Sequence, residues 1–490
     1  MTQPEFDLLI KNVRLVRPHG NVVHESDIAV NAGKFALVAP GIDVSRAKKV
    51  QDGMGYLAFP GVVDAHMHSG IYSPLAEDAV TESKAAAMGG VTSSLNYFRT
   101  GQYYLNKGGP YKKFYPEVLK IARGKFHVDY GFHLAPMDST HIKEIPELIE
   151  KHGVSSFKIF MFYGSHGLHG ASNTQKDFLM IGESERYDYA HFEFIMRAIQ
   201  AAREQFPERA RQISLSLHCE TAEVMTAYTK LVEKDKSLSG LAAYSASRPQ
   251  HSEGLAVFIA SYLAHETALP NINLLHLSSR KAVQAAMMMA DTFPHIDFKR
   301  EVTIGHLMLD INSKAAELAK VNPPIRPRED VEFLWDALLA GELDWVVSDH
   351  ACCRHEMKIP RHYFGNIWMA KSGFGGSEYL LPALVSEGTR RGMDYNHMAR
   401  VLSWNPAQRY GLNSKGDIAE GFDADIALVN PAKTWTIRAK DSPSTQGYTP
   451  FEGLELSASV HSTWLRGEKI YESGEVLGKP RGQYLSRPTA

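Results

Sequence analysis

An α/β fold is predicted by this sequence: a (β/α)8 TIM-like barrel carrying a small β-sandwich domain made from both ends of the chain. Two observations predict it. Eight apolar β-type runs alternate with helical stretches between about residues 59 and 410, which is the repeat of an α/β barrel. The segments on either side have another texture, short β-rich runs broken by turn residues. The rival fold, a doubly wound open sheet, calls for G-x-G-x-x-G after its first strand, and this chain carries HMHSG there.

Residues 5–58 contain DLLIKNVRLV, NVVHESDIAV and KFALVAP, separated by HG, NAGK and PG, with no helical period. The eight central runs are LAFPGVVDAH (57–66), VTSSLNYF (91–98), FHVDYGFHLA (126–135), SSFKIFMF (155–162), ISLSLHCE (213–220), INLLHLSS (272–279), FKREVTIGHL (298–307) and DWVVSDHA (344–351). Between them lie helix candidates such as Thr81–Gly89, Tyr189–Glu204, Thr221–Glu233 and Arg280–Asp291. DADIALVNP, KTWTIRA and SVHSTWLRGEKIYESGEV then return to β texture. The expected division is a composite β domain of residues 1–58 and 415–490 beside a barrel of residues 59–414.

Composition narrows the function. Apolar residues at 44% and charged residues at 22% exclude a disordered chain, a coiled coil and a fibre. Fifty-three basic against 55 acidic residues leave a net charge of −2, with no footprint for nucleic acid or an anionic membrane. No run of ~18 apolar residues suggests a membrane span. The start MTQPEFDLLIKN lacks the basic and apolar regions of a secretory signal. Three cysteines are too few for a disulfide framework, so a reducing, cytoplasmic setting is expected.

The chemistry sits on the histidines. His66 and His68 close the first run, Lys158 lies in the fourth, His218 and His276 end the fifth and sixth, and Asp349 ends the eighth. Barrel enzymes build their active sites at these strand ends. Residues two apart on a strand point the same way, so His66 and His68 can offer two imidazoles to one metal. Neutral imidazoles with a carboxylate suit zinc, iron, nickel or manganese, of which zinc is the commonest. A lone strand histidine is more often a hydrogen-bonded wall residue, and His127, His133 and His306 are read so. Six residues at the correct ends of five strands are not explained that way. Lys158 in an apolar run is costly to bury charged. It can snorkel, pair with a neighbouring strand, or react as a neutral amine with CO2 to give an anionic carbamate that bridges two cations.

FPGVVDAHMHSG, FKIFM, SLHCE, LLHLSS and VVSDHA resemble, in order and content, the amidohydrolase superfamily, and within it the cyclic amidohydrolases: dihydropyrimidinase, hydantoinase and allantoinase. The likeness runs over nearly the whole chain. FKIFM, the tyrosine five residues after its lysine, and GFGGSEYLLP point to the dihydropyrimidinase–hydantoinase branch. The resemblance implies a first metal held by His66, His68, Asp349 and the carbamate of Lys158 (N6-carboxylysine), and a second held by the same carbamate with His218 and His276. It also implies a homotetramer. Gly70 stands where dihydroorotases carry an arginine, and the scaffold relatives that have lost metal ligands are set aside because all six are present.

The implied reaction is hydrolysis of a cyclic amide, imide or ureide. Two metals sharing a hydroxide supply the nucleophile, Asp349 moves the proton to the leaving nitrogen, and Tyr163 donates to the developing oxyanion. The alternatives are a linear amide or N-acyl substrate on the same site, or a non-catalytic scaffold. Cys219 and Cys352 read as small apolar fillers, and GSHGLHGAS with His166 and His169 as a surface loop. Family members read the ring's amide edge with a serine and an asparagine. Here Asn322 in KVNPPIR and Ser372 in KSGFGGSEYLLP appear exchanged, which predicts long and short arms from reversed sides and poor activity on plain dihydrouracil and simple hydantoin.

Overall fold

A computed structural model describes residues 4–164 and 175–489. The two ends of the chain join in one sheet. Leu57–Pro60 lies near its middle. On one side come Leu8–Leu15, His24–Asn31 and Lys34–Ala39, and on the other Ile426–Asn430, Ser459–Leu465, Glu468–Glu472 and Glu475–Val476. A bulge between Ile10 and Val13 resets the alternation of the first strand. Ile10, Val13 and Leu15 thus share one core with Ile28, Val30, Phe35, Ile426, Leu428 and Trp464.

The run expected as one strand over 57–66 is two. Leu57–Pro60 belongs to the terminal sheet and Val62–Met67 to the barrel. Gly61 marks the crossing, where a Cβ would stand 2.2 Å from Thr92 Oγ1 and 2.8 Å from the Asp425 Cβ. Only glycine lets the chain pass between the two layers here.

The barrel strands are Val62–Met67, Val91–Phe98, Asp129–Leu134, Ser156–Phe160, Ser214–His218, Asn271–Leu274, Asp297–Thr303 and Trp345–Val347. They pair in sequence order, each parallel to the next. A bridge between Met67 and His350 and a bond from His68 N to His350 O (2.8 Å) close the ring. Helices Leu75–Met88, Tyr189–Gln205, Ala222–Val232 and Arg280–Thr292 occupy the expected stretches. Asp188 and Ser279 cap two of them by accepting from His191 N and Ala282 N.

The end of the chain leaves the terminal sheet. Gly482 N bonds to Phe126 O at 2.9 Å, Leu485 N to Tyr130 O at 2.8 Å and Arg487 N to Gly153 O at 2.9 Å. These partners lie at the beginnings of barrel strands, so residues 482–489 run as a floor under the barrel. Backbone groups at the strand starts need partners, and this segment supplies them.

Candidate metal centre and active site

At the opposite end of the barrel the predicted side chains meet. His66 Nε2 lies 3.2 Å from His68 Nε2, 3.2 Å from Lys158 Nζ and 3.2 Å from Asp349 Oδ1. His68 Nε2 is 3.3 Å from the same carboxylate oxygen. The His218 and His276 rings are 4.3 Å apart, and His276 is 5.3 Å from His66. His276 and Asp349 stand just past their strands with φ of 35° and 53°. Non-glycine residues rarely take that left-handed backbone, and functional sites are where such strain collects.

Burial pushes His66 and His276 well below the usual imidazole range, with Lys158 adding to the shift at His66 and His218 adding to it at His276. Burial also lowers His68 and His218, against the carboxylates of Asp349 and Glu220. Four neutral imidazoles result, the form a metal requires. Burial alone would raise Asp349, but the surrounding His66, His68 and Lys158 hold it well below the usual carboxylate range. Burial brings the Lys158 ammonium down to about 7. Among the described residues it has no carboxylate within ion-pair distance, and it lies over the Tyr97 and Phe160 rings at 3.9 and 4.3 Å.

A second set of groups fixes the rings. Glu301 Oε1 accepts from His66 Nδ1 at 2.7 Å and from His276 N at 3.1 Å, while Glu301 Oε2 accepts from Trp345 Nε1 at 2.9 Å. Glu220 engages His218 Nε2 at 2.7 Å and is itself held by both arms of Arg248 at 2.9 and 2.7 Å. Tyr104 OH meets His68 Nδ1 at 2.9 Å. The two carboxylates, as acceptors, select the tautomers of His66 and His218 and leave the other ring nitrogen for the centre. His276 Nδ1 is buried with no hydrogen-bond partner among the described residues.

The amidohydrolase family model matches residues 57–470. The chain belongs to the amidohydrolase family. Its relatives include an allantoinase of Rubrobacter xylanophilus, 30% identical over 98% of this chain and 97% of that one. A D-hydantoinase of Geobacillus stearothermophilus is 29% identical over 98% and 96%. Among solved structures, the dihydropyrimidinase of Brevibacillus agri superposes with a TM-score of 0.82 at 25% identity, covering 98% of both chains.

This amidohydrolase has a cavity of about 40 Å3 above the cluster, bordered by His68, Lys158, Tyr163, His218, His276, Asn322, Asp349 and Ser372. Asn322 and Ser372 are hydrogen-bonded neighbours at the edge of this cavity. Ser372 Oγ donates to Asn322 Oδ1 at 3.2 Å, and Tyr244 OH bonds to Asn322 Oδ1 and reaches Ser372 Oγ at 3.3 Å. Their segments are tied together by Gly373 N on Lys320 O (2.9 Å) and by Lys358 Nζ on Lys320 O and Gly373 O (2.8 and 2.7 Å). The two residues form one polar wall, with the Asn322 Nδ2 donor unpaired.

His133 and His306 are bonded within the wall, to Ala65 O and Pro323 O at 3.1 Å each. His127 departs from the expected hydrogen-bonded role: among the described residues its buried Nδ1 has no partner, and only its backbone N bonds, to Ser83 Oγ at 2.8 Å. Burial drives the Cys219 and Cys352 thiols upward, as fits unreactive fillers. Asp78, Glu82 and Cys352 approach one another, but Glu82 is already saturated by His350, Thr81, Ser444 and Thr445. The loop with His166 and His169 lies outside the described residues. Sequence reasoning missed Glu220, Glu301, Tyr104, Arg248 and Arg99. Glu301, an acid in the otherwise β-type run FKREVTIGHL, carried the same kind of signal as Lys158.

Proposed function

We propose that this protein is a hydrolase that opens a cyclic amide, imide or ureide ring, with two divalent metals, zinc first among them, at its barrel mouth. The observation that carries the reading is the meeting of four neutral imidazoles, Asp349 and a buried lysine with no carboxylate partner. The unpaired His276 Nδ1 and the uncompensated Lys158 fit a metal pair. His66, His68 and Asp349 would hold one ion, His218 and His276 the other, and a carbamate on Lys158 both. When bound, the metals would supply Lewis acidity and a water ionised near neutral pH.

The chain's own residues do the rest. Asn322 and Ser372 read the amide edge of the ring through donors and acceptors on one wall. Tyr163 donates to the carbonyl oxygen that gains charge. Asp349 takes a proton from water as oxygen bonds to the carbonyl carbon, and delivers it to the ring nitrogen as the C–N bond breaks. The adjoining cleft of about 750 Å3, bordered by Tyr72, Tyr103, Leu105 and Ile121, offers room for a flat substituent of the ring. The names of the relatives support a ureide or hydantoin ring. A cytoplasmic homotetramer belongs to the same proposal.

The test is a turnover screen of the zinc-loaded protein on allantoin, phenylhydantoin, dihydrouracil, succinimide and a linear N-acyl amino acid, with metal content measured alongside. Two equivalents of metal per chain and ring opening of a substituted ring, with weak turnover of dihydrouracil, are expected. Preference for linear N-acyl amides over every ring would overturn the reading.

A further inference from the structure

Arg99 follows the second barrel strand and is fully buried. Among the described residues no carboxylate lies within ion-pair distance of its guanidinium. Its Nε donates to Tyr163 OH at 3.2 Å and its Nη1 to Thr100 O at 2.8 Å, while Nη2 has no partner among the described residues. Aromatic rings surround it instead of anions: Phe178 at 4.8 Å, Tyr163 at 5.1 Å and Tyr104 at 5.6 Å.

Burying a cation without a counter-ion is costly, and an apolar side chain would pack among these rings without that cost. The tyrosines that Arg99 touches explain its presence better than packing does. Tyr163 and Tyr104 both border the cavity, and Tyr104 also bonds to His68 Nδ1. Arg99 itself does not border it. The Nε–H occupies a lone pair of the Tyr163 oxygen, so the hydroxyl hydrogen is left for an acceptor in the cavity. A cation behind a hydroxyl strengthens it as a donor, most of all in a site shielded from water.

We propose that Arg99 is a positioning residue for ring opening: it holds Tyr163 as a hydrogen-bond donor aimed at the substrate's carbonyl oxygen and strengthens that bond as negative charge develops. The inference rests on the role given to Tyr163 under Proposed function. It predicts an effect on kcat rather than KM, because the bond tightens only as the oxyanion forms.

A double-mutant cycle tests it, run with zinc-loaded protein on whichever of allantoin, phenylhydantoin, dihydrouracil and succinimide turns over fastest. Arg99→Met is expected to lower kcat by about 10–100-fold, with KM within about twofold and metal content unchanged. Arg99→Lys, which keeps the charge and loses the fork, should recover part of the rate. Tyr163→Phe should be slow alone, and adding Arg99→Met to it should cost less than about threefold more. An equal loss from Arg99→Met with and without Tyr163→Phe overturns the proposal, as does a normal kcat in Arg99→Met. A normal kcat in Tyr163→Phe removes the role of Tyr163 itself, a separate failure. Should Arg99→Met not fold, Arg99→Lys enters the same cycle, and an equal loss in both backgrounds again overturns the proposal.

Discussion

Two lysines are buried at opposite ends of the same barrel, and their surroundings differ completely. Lys415 sits near the barrel floor with Asp425, Asp129 and Asp423 at 2.7, 2.9 and 3.2 Å, and their charges raise its ammonium against the pull of burial. Lys158 sits below the mouth with two aromatic rings and an imidazole as neighbours, and burial brings it down to about 7. Both are almost fully buried. A buried charge is tolerable when its field is answered, and Lys415 is answered three times over. Lys158 has no carboxylate within ion-pair distance among the described residues, and Asp349 and Glu301 act on it only from further away. The floor answers its buried lysine with direct ion pairs, and the mouth leaves its lysine without one.

The strongest way to break this contrast is Lys158→Ala. Metal binding should be largely lost and turnover should fall by roughly several orders of magnitude, while the metal-free variant should melt no lower than the metal-free parent, because its buried amine is gone. Metal analysis and a melting curve check both. A short carboxylic acid such as propionate should restore part of the metal and rate. Retention of both metals would end the bridging role.

Asp349→Asn comes next. At least one metal should stay, and turnover should drop by about 10²–10⁴-fold from lost proton transfer, with ligand loss adding to that. Near-normal turnover would remove Asp349 from the mechanism.

At the floor the effect should be on stability alone. Lys415→Met leaves a cluster of carboxylates facing each other in the interior and should cost about 3–5 kcal/mol in urea unfolding. Turnover per folded molecule should stay unchanged. A variant that melts normally but loses turnover would reverse the assignment of the two ends.

The smallest effect concerns pH. Burial raises Glu82, but the bonds from His350, Ser444 and Thr81 outweigh it and hold the carboxyl at about 2, below the ordinary 4.5. A folded value lower than the unfolded one stabilises the protein above about pH 4.5, and that contribution is lost as pH falls toward 2. Glu82→Gln should therefore be less stable than the parent at pH 7, with the gap closing as pH falls. Melting midpoints at pH 7, 5 and 3 measure this, and a pH-independent gap would contradict it.

Local pattern made most of the architecture legible. The eight apolar runs, the helical stretches between them and the β texture of both ends depend on periods of 2 and 3.6 residues, which a chain carries on its face. The mistake at Gly61 came from a strand-to-strand crossing with no break in apolar texture. The six clustered side chains were legible for a related reason. His66 and His68 share a face by period, and strand polarity sends the ends of parallel strands to one mouth.

By itself, then, the sequence determined the barrel, the β ends and which side chains could meet. The tertiary structure alone decided the pairings between distant residues. Glu301 supports His66 across 235 positions, and Glu82 meets His350 across 268. Arg99 backs Tyr163 from another strand, Asn322 and Ser372 join in one wall, and the C-terminal residues close the floor. No local period encodes such contacts. They arise because a buried polar group must find a partner wherever packing has placed one, and that place is known only once every layer is assembled.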